Sequence, residues 1–264
     1  MLSSNHGTRV PGFPDPRESG KDNARYSRQI AFNKIGQKGQ EKLSRAKVAI
    51  VGMGGLGSVI AMILARAGIG YLRLIDRDVV EPDNLQRQVL FDESDIWAPK
   101  AHASKKRLSA INSGIKIDAI CGDLNGKNTK KLLSGVDLIL DGTDNMETRV
   151  IINEFAVKNK IPFIYGAAVR DKGMATLIIP GKTPCLKCIF RRVSGLGMDC
   201  GSFGVLPTAA GLIGTVEANE AIKLICGFGK TLQGLLFYLD LSENRFDVLA
   251  IKKDRKCGIC GICR

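Results

Sequence analysis

Short apolar runs alternate with longer stretches of helix-forming residues along most of this chain. Lys47–Val51 is apolar and rich in β-branched residues, as in a buried parallel strand, and Ser58–Ala67 predicts the helix that follows it. The repeated pattern predicts a mostly parallel sheet in the first part of the chain. Further strands are expected near residues 71–75, 116–121, 136–140, 162–166, 174–179, 235–240 and 245–251.

The second part of the chain carries signals for antiparallel pairing. Arg170–Gly173 and Ser242–Arg245 have the polar composition of hairpin turns, and Ala209–Cys226 predicts a long helix. We therefore expect an α/β fold whose Rossmann-like, mostly parallel sheet is extended by antiparallel strands in the C-terminal half.

A glycine-rich turn separates the first strand from the first long helix. Gly52, Gly54 and Gly57 fit the G-x-G-x-x-G pattern, which lets a phosphate approach backbone amides at a helix N-terminus. Asp76 ends the next strand, where a carboxylate can bind a ribose hydroxyl. The turn predicts a nucleotide of unspecified identity, and the alternative is a turn without a ligand.

Composition limits the architecture and the partners. The chain has 264 residues, of which 44% are hydrophobic, and a formal charge of +13. We expect a polar, mobile tail over residues 1–24 and a single domain over residues 25–264. The charge favours an acidic protein or the nucleotide itself over DNA, and a solvated basic face is the alternative. Without a membrane-spanning run or a signal peptide, we expect a cytoplasmic protein.

Four cysteines are spaced as metal ligands. Cys185 and Cys188 form one C-x-x-C pair and Cys257 and Cys260 another, and four thiolates are the usual ligands of a structural zinc ion. A redox dithiol or an iron–sulfur cluster is the alternative. We expect Cys263, at the end of the chain, to be a disordered thiol rather than a spare ligand.

The other cysteines divide by their surroundings. Cys121 and Cys226 lie among apolar residues and are expected to be buried and inert. Cys200 lies in a flexible, polar segment, where a thiol can remain accessible and act as a nucleophile.

Charged residues follow the strands that should form the ligand-binding edge. Asp144 comes just after the strand at 136–140 and is a candidate Mg²⁺ ligand, while Arg87 and Lys100 could reach a triphosphate. Such cations and a metal serve nucleotidyl transfer by stabilising charge on phosphate oxygens. Ordinary surface ion pairs are the alternative for each residue taken singly.

Two other classes of function use the same glycine turn. An NAD-dependent oxidoreductase often needs a histidine for acid–base catalysis, and this chain has only His6, in the tail, and His102. A non-enzymatic adaptor that senses nucleotide would leave Arg87, Lys100 and Asp144 unexplained.

Several motifs in order resemble one family. Residues 25–30 (Arg-Tyr-Ser-Arg-Gln-Ile), residues 35–43, the glycine turn, residues 84–88 (Asn-Leu-Gln-Arg-Gln), the Asp144 motif and the paired cysteines are similar to those of ThiF/MoeB/HesA adenylyltransferases. These enzymes are prokaryotic relatives of ubiquitin-activating enzymes. The resemblance covers nearly the whole chain beyond its tail.

The resemblance implies an activity. The enzyme would bind ATP and Mg²⁺ together with the C-terminal Gly-Gly tail of a small ubiquitin-like sulfur-carrier protein, and form an acyl-adenylate with release of pyrophosphate ahead of thiocarboxylate formation. A separate sulfur donor is expected, because the rhodanese domain of some relatives is missing from the sequence. A related branch that activates a tRNA nucleoside is an alternative, although the motifs favour the carrier branch.

The resemblance also assigns roles. Asp76 would bind ribose, and Asn84, Arg87 and Lys100 would contact the phosphates. Arg28 resembles an arginine that reaches the ATP site of the neighbouring subunit, implying a homodimer, and Cys200 resembles a cysteine that can link covalently to the carrier. Residues 189–206 would form a mobile crossover loop. The implied nucleotide site comprises Gly52, Gly54, Gly55, Gly57, Asp76, Asn84, Arg87, Gln88, Lys100 and Asp144.

Overall fold

Residues 21–190 and 204–261 are described by the computed structural model. Their strands form one eight-stranded sheet. The strands are β1 (Lys47–Val51), β2 (Tyr71–Asp76), β3 (Lys116–Cys121), β4 (Leu138–Asp141), β5 (Phe163–Val169), β6 (Lys172–Ile178), β7 (Leu235–Asp240) and β8 (Arg245–Ala250). Across the sheet they lie in the order β3-β2-β1-β4-β5-β6-β7-β8.

The pairing directions confirm the expected fold class. Strands β1 to β5 pair in parallel, and β5 to β8 pair in antiparallel fashion. The order reverses at β1, whose two neighbours are β2 and β4. A crevice is therefore expected beyond the carboxyl end of β1, since ligands of open α/β sheets bind where the strand order reverses.

Helices cover both faces of the sheet. They are α1 (Lys21–Ala31), α2 (Gly36–Arg45), α3 (Gly55–Ala67), α4 (Lys100–Ile111), α5 (Thr129–Leu133), α6 (Met146–Asn159), α7 (Leu186–Phe190) and α8 (Pro207–Cys226). Successive residues of β1 point to opposite faces: Val48 and Ile50 pack with α2, α3, α4 and α8, whereas Ala49 and Val51 pack with α5, α6 and α7. The core is thus two apolar layers separated by the sheet.

Helix boundaries differ from the sequence expectation by a few residues. Helix α3 begins at Gly55 rather than Ser58, so the glycine turn runs directly into its first turn. Helix α8 begins at Pro207, which suits a first helical position because proline lacks the amide hydrogen that would have no partner there. Helix α1 begins at Lys21. The expected division between tail and domain stays a prediction.

One of the two cysteines expected to be inert is not buried. Cys121 is exposed, because it is the last residue of β3, which lies at the edge of the sheet. The expectation for Cys226 is confirmed, since its thiol is buried and its Sγ lies 3.6 Å from the carbonyl oxygen of Gly39. Among the described residues, no helix combines the length and the apolar content that a bilayer crossing requires.

Two glycines of α8 provide a matched test of the α3–α8 contact. A Cβ at Gly214 would lie 2.8 Å from the carbonyl oxygen of Leu56 and 3.0 Å from Cβ of Val59, whereas a Cβ at Gly211 would have no atom within 4 Å. We expect Gly214→Ala to lower the free energy of unfolding by about 1–3 kcal/mol through overpacking. Gly211→Ala should raise it by about 0.5–1 kcal/mol. Urea unfolding of both variants checks the pair, and equal midpoints would contradict it.

Candidate active site

A cavity of about 550 Å³ opens where the strand order reverses. It lies beyond the carboxyl ends of β1, β2 and β4, and its far wall includes the start of α8. Most sequence-predicted site residues line it. They are Gly52, Gly54, Gly55, Asp76, Asn84, Arg87, Gln88, Lys100 and Asp144.

The glycine turn forms the floor of this cavity through close backbone contacts. Gly52 has φ +87°, a conformation that glycine adopts readily, and a Cβ there would lie 2.5 Å from the carbonyl oxygen of Gly142. Gly57 is not among the lining residues. A Cβ at Gly57 would lie 1.9 Å from the carbonyl oxygen of Gly52, so this glycine is required for packing behind the turn.

Asp76 holds the glycine turn and the next loop in place. Its Oδ2 accepts a hydrogen bond of 2.6 Å from the amide of Met53, and its Oδ1 accepts one of 2.7 Å from the amide of Asp78. Burial raises the pKa of Asp76, while these amides and the charge of Lys100 oppose the rise. The carboxylate thus faces the cavity from a fixed position.

The candidate phosphate-binding cation from α4 is buried but only loosely paired. Lys100 is the first residue of α4 and is 7% exposed, and its Nζ lies 3.5 Å from Oδ2 of Asp78. A buried ammonium with one long ion pair retains hydrogen-bonding capacity for an anionic ligand.

The loop after β2 supplies the other polar groups. Arg87 donates from Nη1 to the carbonyl oxygen of Asp83 at 2.9 Å, and Asn84 donates from Nδ2 to Oδ1 of Asp83 at 2.7 Å. Gln88 is 2% exposed, and its amide oxygen has no hydrogen-bond partner among the described residues. The structure therefore brings cations and neutral polar groups to the same wall.

Asp144 lies on the loop between β4 and α6, opposite that wall. It is exposed to the cavity, and among the described residues its carboxylate accepts one hydrogen bond, a long one of 3.5 Å from Nδ2 of Asn145. A carboxylate with free lone pairs beside phosphate-binding cations can serve as a Mg²⁺ ligand.

A buried arginine beneath this loop was missed by sequence reasoning. Arg149 is 1% exposed, and its Nε lies 3.1 Å from Oδ2 of Asp141, which is also fully buried. Its Nη2 donates to the carbonyl oxygen of Thr143 at 2.5 Å. Nothing in the sequence marks Arg149 as buried, because its position in α6 resembles that of an ordinary surface arginine.

A second missed residue is a buried acid on α8. Neither carboxylate oxygen of Glu217 has a hydrogen bond of normal geometry among the described residues, and the side chain presses against Gly166. Burial and the neighbouring Asp141 carboxylate raise the pKa of Glu217 well above its usual value. Arg149 and the amide of Asp141 oppose this rise only in part. Burial in the folded protein therefore favours the protonated form of Glu217.

Several predicted residues lie outside the cavity or outside the described chain. Arg28 is exposed on α1 and does not line the cavity, and His102 is exposed on α4. Cys200, Cys263 and His6 fall outside the described residues. The expectations for Cys200 and Cys263 stay predictions.

The four cysteines of the two C-x-x-C pairs meet at a separate place, on the face of the sheet that α5, α6 and α7 cover. All four are buried, and their Sγ atoms lie within 4.8 Å of one another. The Sγ separation is 3.7 Å between Cys185 and Cys257 and 3.4 Å between Cys188 and Cys260. Thiolates about 2.3 Å from a tetrahedral zinc ion lie roughly 3.8 Å apart, so this cluster is compatible with zinc.

The surroundings of the cluster shift the pKa values of its thiols in opposite directions, and burial raises the pKa of Cys185 and of Cys260. Burial raises the pKa of the Cys257 thiol, but the amides of Cys260 and Ile259 and the neighbouring thiols lower it by more, to about 7. The cluster joins α7 to the segment that follows β8, 72 residues further along the chain. A metal here would close a long loop.

The fold and the cavity define a nucleotide-binding α/β protein with a cation-rich site at the reversal of strand order. Residues 26–259 match the ThiF family, and the chain belongs to that family.

Curated relatives and a solved structure agree with this assignment. The sulfur carrier protein ThiS adenylyltransferase of Bacillus subtilis is 39% identical over 241 residues, which cover 90% of this chain and 71% of that protein. The sulfur carrier protein adenylyltransferase of Thermus thermophilus is 36% identical over 247 residues, covering 90% of each. The structure of Escherichia coli MccB with ATP is similar with a TM-score of 0.80 and 28% identity, covering 90% of this chain and 75% of that one.

The buried acid of α8 gives a pH-dependent prediction. A glutamate whose pKa is raised by folding contributes stability that is full below its unfolded pKa and is lost as the pH rises toward its folded pKa. Glu217→Gln removes that loss, so the variant should gain about 1.4 kcal/mol over the wild type for each pH unit above the unfolded pKa, until the folded pKa is reached. Urea unfolding between pH 5 and pH 8 measures this difference.

The control is Glu154→Gln, which replaces an exposed glutamate of α6. Its stability should follow that of the wild type at every pH. Parallel curves for Glu217→Gln and the wild type would show that Glu217 is ionised in the folded protein.

Proposed function

We propose that this protein catalyses ATP-dependent adenylation of the C-terminal glycine carboxylate of a small ubiquitin-like sulfur-carrier protein. The observation that carries the proposal is the cavity at the reversal of strand order, where Arg87, Lys100 and Asp144 surround the glycine turn of a ThiF-family chain. The relatives from B. subtilis and T. thermophilus are named adenylyltransferases of sulfur carriers, which supports the same substrate class.

The proposed reaction needs alignment and charge neutralisation. A carboxylate oxygen of the carrier attacks the α-phosphorus of ATP, the bond from that phosphorus to the bridging β-oxygen breaks, and pyrophosphate leaves. Because the nucleophile is already an anion, no general base is required. This suits a cavity whose described lining residues include no histidine.

Each wall of the cavity has a role in this scheme. The amides at the start of α3 would face the phosphates, and Asp76 would bind the ribose. Arg87 and Lys100 would neutralise charge on the triphosphate, and Asn84 and Gln88 would complete the polar wall. Asp144 would hold Mg²⁺, which supplies further charge neutralisation at the phosphate oxygens.

The assembly and the later steps are also part of the proposal. Arg28 is exposed and does not line the cavity of its own chain. This is in keeping with a homodimer in which Arg28 reaches the partner's nucleotide site. A separate donor would supply sulfur, and Cys200 would form the covalent link to the carrier. The positive charge of +13 would favour acidic carriers. The cytoplasmic location stays a prediction.

The alternative functions have less support. The compared relatives carry names of carrier-protein enzymes, which favours the carrier branch over activation of a tRNA nucleoside. An NAD-dependent oxidoreductase would give the cations of the cavity no role. It would also need a proton acceptor, and the described lining contains no histidine.

ATP–pyrophosphate exchange tests the proposed reaction. The purified protein is assayed alone, with a panel of small carrier proteins ending in Gly-Gly, with bulk tRNA, and with NAD(H) in a binding assay. Exchange that requires one carrier supports the proposal and identifies the partner. Exchange that depends on tRNA, or NAD(H) binding without exchange, would replace it with the corresponding alternative.

Variants of the cavity sharpen this test. Arg87→Ala and Asp144→Ala should each lower carrier-dependent exchange by about 10²–10³-fold, because each removes charge compensation at the phosphates. Matched controls are Arg66→Ala and Glu154→Ala, which replace exposed residues outside the cavity and should exchange at the wild-type rate. Retained exchange in either cavity variant would remove that residue from the site.

Zinc is proposed for the cysteine cluster. The protein should contain one zinc ion per chain by elemental analysis, and Cys257→Ser should lose it and melt at a lower temperature, since the metal closes a long loop. The matched control is Cys121→Ser, an exposed thiol outside the cluster, which should keep both zinc and melting temperature. Iron in place of zinc, or full zinc in Cys257→Ser, would contradict the assignment.

A further inference from the structure

The loop that carries Asp144 is anchored on both sides of that residue. Before it, the carboxylate of Asp141 accepts hydrogen bonds from the amide of Thr143 at 2.9 Å and from its hydroxyl at 2.6 Å. After it, the side chain of Asn145 caps α6 by accepting a bond of 2.9 Å from the amide of Thr148. Since the Asp144 carboxylate has only one long hydrogen bond to the part of the chain that the structure describes, its direction depends on the backbone at residues 143 and 145.

Arg149 is the residue that ties this loop to the rest of the sheet. Its guanidinium bonds to Oδ2 of Asp141 at 3.1 Å, to the carbonyl oxygen of Thr143 at 2.5 Å and to the carbonyl oxygen of Gly166 at 3.4 Å. It also lies over the ring of Tyr165, 5.4 Å from the centroid. One planar group thus connects the end of β4, the loop after it and the middle of β5.

We infer that Arg149 is a positioning residue that fixes the direction of the Asp144 carboxylate toward the divalent cation of the nucleotide complex. This inference rests on the proposed function and adds a residue that none of the sequence motifs singled out. Arg149 acts through the carbonyl of Thr143, the residue just before Asp144, rather than as a metal ligand, since a guanidinium has no acceptor atom for a cation.

The acidic side chains around Arg149 hold its guanidinium in this arrangement. Asp141 and Glu217 both face it, from β4 and α8. Among the described residues Glu217 has no hydrogen bond of normal geometry, whereas Asp141 bonds the guanidinium directly. The pair is almost fully buried, with side-chain exposures of 1% and 0%.

A lysine cannot reproduce these contacts. A guanidinium presents several donors in a fixed plane, whereas an ammonium is a point charge on a flexible chain. Arg149→Lys keeps the positive charge beside Asp141 but cannot bond the Asp141 carboxylate and the Thr143 and Gly166 carbonyls with the same geometry. It therefore separates the positioning role from simple charge balance.

The test measures divalent-cation affinity directly. Mn²⁺ is titrated into the protein with a non-hydrolysable ATP analogue, with binding followed by electron paramagnetic resonance, and the Mg²⁺ dependence of carrier-driven exchange is measured in parallel. Arg149→Lys should weaken Mn²⁺ binding and raise the Mg²⁺ concentration for half-maximal exchange by about 10–100-fold, as for other residues that orient a metal ligand. Affinity for the ATP analogue without metal should stay unchanged.

A second variant guards against loss of folding. Removing Arg149 alone would leave Asp141 as a buried unpaired charge, so the double variant Asp141→Asn with Arg149→Gln is used, which is neutral and keeps an acceptor for Thr143. It should also show weakened Mn²⁺ binding. Leu43→Ala, a fully buried substitution in α2, serves as a destabilised control that should bind Mn²⁺ like the wild type.

The outcomes separate the inference from the function on which it rests. Wild-type Mn²⁺ affinity in Arg149→Lys and in the double variant would overturn the inference, whatever their melting temperatures. Weakened Mn²⁺ binding in Leu43→Ala as well would also overturn it, because the effect would then follow stability. No exchange by the wild type with any carrier would instead overturn the proposed function, and the Mn²⁺ titration would still decide the role of Arg149.

Discussion

Backbone contact among three glycines is the constraint on which the site depends. The carbonyl oxygen of Gly52 occupies the space that a Cβ of either Gly57 or Gly142 would need, at 1.9 Å and 2.3 Å respectively. This contact lets the end of β1, the first turn of α3 and the end of β4 meet at one point. Any side chain at these positions would push the β4 loop, and with it Asp144, away from the helix start that faces the cavity. The amides and the carboxylate can act on one ligand only because the backbones touch.

The charges of the cavity are held in two different ways. Asp76 and Asp141 are buried and satisfied from within the protein, by backbone amides in one case and by Arg149 and Thr143 in the other. Among the described residues, the side chains of Lys100 and Asp144 have only long polar contacts, of 3.5 Å each. The first group shapes the loops, and the second keeps hydrogen-bonding capacity for a ligand. Asp76 can do both, because each of its oxygens accepts one amide and an ionised carboxylate keeps further lone pairs for a ribose hydroxyl.

Sequence patterns predicted most of the fold and the lining of the cavity, for identifiable reasons. Apolar runs such as Lys47–Val51 are short, rich in β-branched residues and followed by glycines, which favours a buried strand, and the residues after parallel strands must meet at one edge. The role of Gly57 in packing could not be separated from nucleotide contact, because both need a missing Cβ. The burial of Arg149 and Glu217 could not be predicted, because it depends on the packing of β5 and α8, which form from distant parts of the chain. Cys121 was misjudged since nothing in a strand's own sequence says that it lies at an edge.

A cavity without a lining histidine among the described residues restricts what chemistry the site can perform. His102 is exposed on α4 and does not line the cavity. Among the described residues, the lining therefore offers no imidazole to remove a proton from a hydroxyl or a carbon atom. It does have separated positive charges and a free carboxylate, which serve a substrate that arrives as an anion and leaves as a phosphate ester or mixed anhydride. Carboxylate adenylation meets that condition, whereas alcohol oxidation does not.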